Sequence, residues 1–535
     1  MGAIWQDLWE SREHDGESLA LQCGEQSLSC RAFFHMIRQA EAGLRACGVQ
    51  AGELVTILSL NTPETIAAFY AIDRIGAVAN WVDMKLSPAE VESYLCRAQS
   101  KVVLVLELAF SKVYENRGSA PAKAFIVLPL APYVSPALTE KLGLGTWPDR
   151  SSADCVAWTE FLRSPVEASP DEIRWEDAAV ITYTGGTTGP AKGVTLSRRA
   201  FHTSLTQYTQ AKTEYGKGGT CLTLLPPFAA FGLCQCVHIP LCLGMTVILA
   251  PLFRPDQLGK FLIRYRPEQV CGTTSYWQLL LRSEAVSQAD LSFLRNPRNG
   301  GDAMSLEMER RVNQFLSQRG CPAKLIQEYG MSEVSGIVCL QYGSTHKVGT
   351  VGRPLPGCQI LAVNPDTGQV LPSGEQGELL IQSHTVMNGY YGQPQADDQV
   401  LKPGPDGTLW VWTKDMGCIE LDGSVKITGR KKRMLSRNGF KIFPSVIENC
   451  LLGNPLVAEC AVVGGESSGG ETLPVAHVVL HAGIRPEEAE KNLRIWCREK
   501  LNQYLIPVSY RFRKELPLTA RGKLDYRTLE QETRL

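Results

Sequence analysis

The sequence predicts a layered α/β protein with mostly parallel sheets, then a small β-rich subdomain and a small, mobile α+β C-terminal domain. Three observations point there. Across the first half, apolar strand-like runs alternate with helical stretches, the pattern of parallel strands joined by crossover helices. After about Gly349 the texture turns to short strands separated by turn signals. From about Arg430 a third texture begins, with a basic run, further strands and one amphipathic helix. At 535 residues the chain is several times the usual domain length, so at least two domains are expected. The expected division is 1–430 and 431–535, with the β-rich subdomain at about 349–430.

Each element has a local reason. Leu54 to Leu58 is an unbroken apolar and β-branched run, as in a strand buried on both faces. Thr62-Pro63-Glu64 then opens an amphipathic helix, threonine serving as cap and proline fitting the first turn. Val102 to Leu106, Phe125 to Leu128, Ala178 to Tyr183, Thr246 to Ala250 and Gln269 to Cys271 read as further buried strands. Asp366-Thr367-Gly368 and Pro372-Ser373-Gly374 mark turns, and Asp422-Gly423 sits between apolar segments as a hairpin turn would. The basic run Arg430 to Arg433 reads equally as a solvated face or a hinge. Between Pro486 and Tyr504, Ala489, Leu493, Trp496, Cys497 and Leu501 give a helix one apolar face.

Composition narrows the function. A formal net charge of −1 offers no attraction to nucleic acid or an anionic membrane. Met1 to Glu10 lacks a basic region followed by an apolar core, so no secretory signal is expected. The most apolar run, Ile239 to Phe253, is broken by glycine and proline and falls short of the roughly 20 residues that span a bilayer. Seventeen cysteines without framework spacing suit a reduced, cytoplasmic protein. Cys234, Cys236, His238 and Cys242 have poor spacing for a structural zinc site and lie in an apolar stretch, so they read as buried core. The sequence sets no oligomeric state.

The most informative segment is Thr184-Gly185-Gly186-Thr187-Thr188-Gly189-Pro190-Ala191-Lys192-Gly193-Val194, directly after a buried strand. Its four glycines let the backbone curl around an anion, while the threonine hydroxyls and backbone amides can donate to phosphate oxygens. Lys192 adds a compact, mobile positive charge. The common nucleotide-loop pattern places Lys-Ser/Thr right after a glycine, and this segment does not fit it.

This segment resembles the phosphate-binding loop of the adenylate-forming superfamily, closest to fatty-acyl-CoA synthetases, with Gly185 where serine is common and Ala191 where proline is common. Five more segments match that family in order. Asn299-Gly300-Gly301-Asp302-Ala303 resembles the turn beside the adenine and acyl pockets, implying nucleotide contacts from Gly301, Asp302 and Ala303. Gln327 to Glu333 resembles the Tyr-Gly-x-Thr-Glu motif, placing Glu328, Tyr329, Gly330, Met331 and Ser332 at the nucleotide, with the Tyr329 ring against adenine. The resemblance assigns Mg²⁺ to Glu333 and Thr187. In Trp412 to Gly417 it implies that Asp415 grips both ribose hydroxyls, a task suited to a carboxylate. Lys414 replaces a usual glycine there and is expected to reshape the loop slightly. Gly429-Arg430-Lys431-Lys432 resembles the junction, with Arg430 on ribose or phosphate and Lys432 as hinge. Thr519 to Leu524 resembles the loop carrying the adenylation lysine, Lys523.

The same resemblance implies ATP, Mg²⁺ and CoA as cofactor and co-substrates, with a small carboxylic acid as the substrate. It implies that Thr184, Gly185, Gly186, Thr187, Thr188 and Gly189 hold phosphate, and that Lys192, Glu333 and Lys523 act catalytically. It places Gly439 on the pantetheine path. Phe228, Ala229, Phe231, Tyr276, Trp277, Gly301, Val334 and Ile337 would surround the acid, although these residue types also suit a core. Amino-acid-activating relatives carry aspartate at the place of Ala229, so an α-amino acid is disfavoured and a fatty or aromatic acid expected. A carrier-protein phosphopantetheine remains open as acceptor, and luciferase-like oxidation also occurs in the superfamily. A degenerate nucleotide-binding regulatory protein is the alternative from another class. Gly185, Ala191 and Lys414 speak for it, and Lys192, Glu333, Asp415, Arg430 and Lys523 together speak against it.

Overall fold

Two large mixed sheets form the first part of the molecule, which is seen in a computed structural model. The structure describes residues 2–145, 154–164, 172–184, 191–213, 216–343, 346–437, 440–466, 472–518 and 524–533. The eight-stranded sheet is parallel from Ala178–Tyr183 through Val78–Trp81, Leu54–Leu58, Val102–Leu106 and Ala124–Leu128 to Cys155–Ala157. Two antiparallel strands, Gly193–Ser197 and Gly389–Tyr390, finish one edge. The nine-stranded sheet centres on parallel strands Thr246–Leu249, Thr220–Thr223, Gln269–Gly272, Asn296–Asn299 and Ile326–Met331. Mixed α/β layering is thus the observed fold class, and the expected strand positions hold to within one residue at each end.

The helix Pro63–Arg74 shows one departure. Thr62 caps it, accepting from the Thr65 amide, and Pro63 opens it. Every residue from Pro63 to Asp73 is buried, so the helix is a core element and not the amphipathic one expected. It touches Val78–Trp81 of one sheet and Leu19–Cys23 of the other, and helices Ile4–Arg12 and Cys30–Ala46 close its remaining sides. Asp73 near its end would be costly alone, and a buried ion pair with Arg198 at 2.9 Å offsets it.

The cluster at 234–242 is core as expected. It forms one helical run with a wide turn over Cys234–His238. His238 is fully buried, its Nδ1 lies 3.1 Å from the Tyr70 hydroxyl, and burial pulls the imidazole down to about 4, leaving it neutral. Among the described residues no group of His, Cys, Asp or Glu could hold a metal ion. Nor is any described helix long and apolar enough to cross a membrane.

The β-rich part is a five-stranded antiparallel sheet. Its spine is Leu409–Ile419, and Asp422-Gly423 makes the hairpin turn to Val425–Arg430, with Gly423 at φ +80°. The basic run after it is partly exposed and partly paired. Arg430 pairs with Asp415 at 2.7 Å, Lys431 with Glu378 at 2.9 Å, and Arg433 with Glu448 at 2.8 Å. Beyond it, a three-stranded sheet (Val457–Glu466, Thr472–Leu480, Ser509–Arg513) packs under helices Pro444–Leu452 and Pro486–Lys500. Ala489, Leu493 and Cys497 form the buried stripe of the second helix, with Trp496 and Leu501 half-buried. This unit meets the helix Leu306–Gln318 through Arg311, which donates to the Leu452 carbonyl at 2.7 Å, and through Asn449, which accepts from the Leu306 amide at 2.9 Å.

Glu309 on that helix gives a stability prediction. Its carboxylate accepts from the Gly349 amide at 2.9 Å, and burial raises it to about 7 from an ordinary 4.5. The folded state therefore binds the proton more tightly than the unfolded state, and stability falls as pH rises from about 4.5 to 7. Glu309→Gln is expected to raise the thermal unfolding midpoint at pH 8, by the equivalent of up to about 3 kcal/mol, and much less at pH 5. An equal shift at both pH values would show that the burial is not felt as charge.

Candidate functional site

The nine-stranded sheet and the β-rich unit converge on Asp415. The strand Ile326–Met331 carries Tyr329 to it, and the local fold depends on glycine next door. A Cβ on Gly330 would lie 1.6 Å from the Gly336 carbonyl oxygen, so only glycine lets the returning strand Gly336–Leu340 approach. The Tyr329 hydroxyl donates to Asp415 Oδ2 at 2.8 Å. Burial and then the Asp415 charge raise that phenol well above its usual range, so it stays a donor. Arg430 Nε reaches Asp415 Oδ1 at 2.7 Å. A carboxylate accepts through both of its oxygens, the chemistry a vicinal diol calls for.

A second line of contacts joins Glu333, Tyr390 and Lys192. Glu333 sits in a short helical turn, Ser332–Val334, and is buried. Tyr390 donates its hydroxyl to Glu333 Oε1 at 2.7 Å. The Lys192 ammonium stands 4.7 Å from the centre of the same tyrosine ring. One aromatic residue thus fixes a carboxylate at its tip and a cation over its face. The feet of the glycine-rich loop are also tied, the Thr184 amide donating to the Lys192 carbonyl at 2.9 Å and the Lys192 amide to Thr184 Oγ1 at 3.3 Å. Gly185, Gly186, Thr187, Thr188 and Gly189 between them lie outside the described residues, as do Gly439 and Lys523. Sequence reasoning missed Tyr390, which lies on a two-residue strand with no periodicity to signal it. Its pairing with Val194, beside the loop, brings it to the site.

The expected acid-lining residues divide. The Phe231 ring lies across the Gly300–Gly301 turn, where a Cβ on Gly300 would come within 2.9 Å of it. Thr274 Oγ1 donates to the Ala303 carbonyl at 3.1 Å, and Asn299 Nδ2 to Gln327 Oε1 at 2.8 Å, fixing both sides of that turn. Gly301 takes φ +77°, and Ala229 is half-buried just before the helix Ala230–Leu233. Phe228 and Tyr276 are nearly buried, with Tyr276 against Phe253 at 5.3 Å. Trp277, however, is fully buried and donates to the Arg298 carbonyl at 3.2 Å, and Val334 and Ile337 are wholly within the core. These three are more deeply buried than Phe231 and Ala229.

The Glu328 side chain is fully buried and pairs with Arg298 at 2.5 Å. Met331, Ser332 and Asp302 are half-buried, while Ala303 and Lys432 are exposed. Lys414 adopts φ +61°, so lysine here takes the left-handed conformation that glycine favours, in place of the expected reshaping.

Comparison with known proteins agrees with this arrangement. The family profile described as AMP-binding enzyme matches residues 8–391, and the profile described as AMP-binding enzyme C-terminal domain matches residues 446–523. A long-chain-fatty-acid–CoA ligase of Bacillus subtilis (strain 168) is 29% identical, over 92% of this chain and 88% of its own. The 4-coumarate–CoA ligase CCL1 of Humulus lupulus is 25% identical, over 91% and 85%. Among solved structures, the anthranilate CoA ligase AuaEII in complex with anthranoyl-AMP shares the fold with a TM-score of 0.86 at 22% identity, over 99% of this chain and 97% of that one. The chain belongs to the AMP-binding enzyme family, within the adenylate-forming superfamily of acyl-CoA synthetases and AMP-dependent ligases.

The Tyr390 contacts give a prediction. Tyr390→Phe keeps the ring under Lys192 and removes only the hydrogen bond to Glu333. Losing a hydrogen bond to a charged group is expected to lower kcat/KM in ATP–pyrophosphate exchange by about 10–100-fold, with AMP affinity nearly unchanged. An unaltered exchange rate would reduce Tyr390 to packing.

Proposed function

We propose that the chain is an ATP-dependent acid–thiol ligase that adenylates an apolar, fatty or aromatic carboxylic acid and passes the acyl group to CoA. The observation that carries this reading is the Asp415 carboxylate, held by Tyr329 and Arg430, beside the Lys192–Tyr390–Glu333 line. In the first half-reaction an acid oxygen attacks the α-phosphorus of ATP and the bond to pyrophosphate breaks. In the second, a thiol attacks the acyl carbonyl and the bond to AMP breaks. No protein nucleophile is required, and the residues supply position and charge.

In this scheme Asp415 grips the ribose diol, and Tyr329 and the turn Gly301 to Ala303 flank adenine. Lys192 and the loop Thr184 to Gly189 hold phosphate. Glu333 offers one buried hard oxygen donor, which suits a Mg²⁺ ion coordinated chiefly by substrate phosphates, with Thr187 as its partner. Bound there, Mg²⁺ would neutralise charge on the phosphate oxygens. Lys523 faces the α-phosphate, and Arg430 reaches ribose or phosphate once nucleotide competes for Asp415. We take 1–430 as the nucleotide-binding domain and 431–535 as a rotating one, with Lys432 as hinge and Gly439 on the pantetheine path. Phe231 and Ala229 supply an apolar, uncharged wall for the acid, and the relatives named above are ligases of long-chain fatty and aromatic acids. A carrier-protein thiol is the second reading of the acceptor.

Pyrophosphate release across fatty, aromatic and amino acids, with and without CoA, tests the proposal. Turnover confined to apolar acids and raised by CoA is expected. Turnover indifferent to CoA would favour the carrier protein, and silence with ATP still bound would leave a regulatory nucleotide binder. Lys523→Ala is expected to lower adenylation by about 100-fold or more while sparing thiolysis of supplied acyl-adenylate. Equal loss in both half-reactions would refute that division of labour. Ala229→Asp should depress use of apolar acids without creating amino-acid activation, and an unchanged acid profile would remove Ala229 from the pocket.

A further inference from the structure

Lys414, beside Asp415, has a backbone conformation that works against its identity. It precedes Asp415 on the strand Leu409–Ile419 and takes φ +61°, which glycine adopts without strain and lysine does not. Its amide donates to Glu378 Oε1 at 3.2 Å, while the other oxygen of Glu378 is taken by the Lys431 ammonium at 2.9 Å. The Lys414 side chain is half-buried and lies in the repulsive field of Lys192, Lys432 and Lys402, with Glu378 opposing. Burial first, and that repulsion next, pull its ammonium below the usual lysine range. Neither Lys192 nor Lys414 makes an ion pair among the described residues. Glycine would relieve both the backbone strain and the repulsion, so an empty site has no use for this lysine. A multiply charged anion reverses the balance, because each cation drawn toward it then attracts instead of repels.

We propose that Lys414 is a second phosphate-binding cation beside Lys192, acting on the β- and γ-phosphates of ATP and on the leaving pyrophosphate. This rests on the adenylating reading above and assigns Lys414 a task separate from that of Asp415. The nucleoside and α-phosphate, shared by ATP and AMP, lie outside its charge; the terminal phosphates do not.

The test compares Lys414→Gly and Lys414→Arg with the unaltered protein, measuring Mg²⁺-dependent binding of a non-hydrolysable ATP analogue, pyrophosphate and AMP, without acid or CoA. Lys414→Gly is expected to unfold at the same or a higher temperature. It should weaken the ATP analogue and pyrophosphate by about 5–20-fold and leave AMP within about twofold, the scale of one charged contact. Lys414→Arg should recover most of that loss. Unchanged binding of all three ligands overturns the proposal. So does an equal loss for AMP, which would make Lys414 a shaper of the ribose loop. Because no acid or thiol is present, a wrong substrate class leaves these results intact. An unaltered protein that binds no nucleotide sinks the ligase reading, whereas one that binds ATP and AMP equally well overturns the role of Lys414 alone.

Discussion

The carboxylate of Asp415 is the point on which two separately built sheets agree. Tyr329 reaches it from the nine-stranded sheet, while the strands of Asp415 and Arg430 are neighbours in the five-stranded one. A buried acid that accepts from a neutral phenol and pairs with a guanidinium is held in one orientation. That is what a group must offer if a ligand's hydroxyls are to bind it with little rearrangement. Of the neighbouring ion pairs, Lys431 with Glu378 ties the start of the C-terminal segment to the β-rich sheet, and Arg433 with Glu448 lies within that segment. Three charges that read as a solvated run in one dimension are, in three, paired.

The fold was legible where burial acts on short, continuous stretches. Parallel strands covered on both faces must be apolar throughout, so Leu54–Leu58, Val102–Leu106 and Ala178–Tyr183 declare themselves. The cap at Thr62 and the turn at Gly423 are equally local. The helix Pro63–Arg74 misleads because its acidic residues look solvent-facing, and tertiary partners, Tyr133 for Glu64 and Arg198 for Asp73, allow both to be buried.

The site was legible in its motifs and illegible in its pairings. Asp415, Tyr329 and Arg430 come together because recurring patterns name them, yet nothing local says that one hydrogen-bonds the other. Glu328 shows the limit in reverse. The carboxylate adjoins the motif tyrosine in sequence, but alternation along the strand sends it inward to Arg298, behind the Asn299–Gly301 turn. Trp277, on the helix Thr274–Leu281, is buried by tertiary contact, its indole donating to the Arg298 carbonyl. Tyr390 was invisible for the opposite reason, being a single residue on a two-residue strand and placed by pairing with a segment nearly 200 positions earlier.

That last pairing bears on how the protein is made. The strand Gly193–Ser197 ends the eight-stranded sheet until Gly389–Tyr390 arrives to cover it. A chain emerging from the ribosome completes its parallel core long before the covering strand exists, and it waits with an open, pairing-competent edge. During synthesis, therefore, this edge is open to wrong partners, and shielding of nascent chains should matter most between the emergence of Ser197 and that of Tyr390.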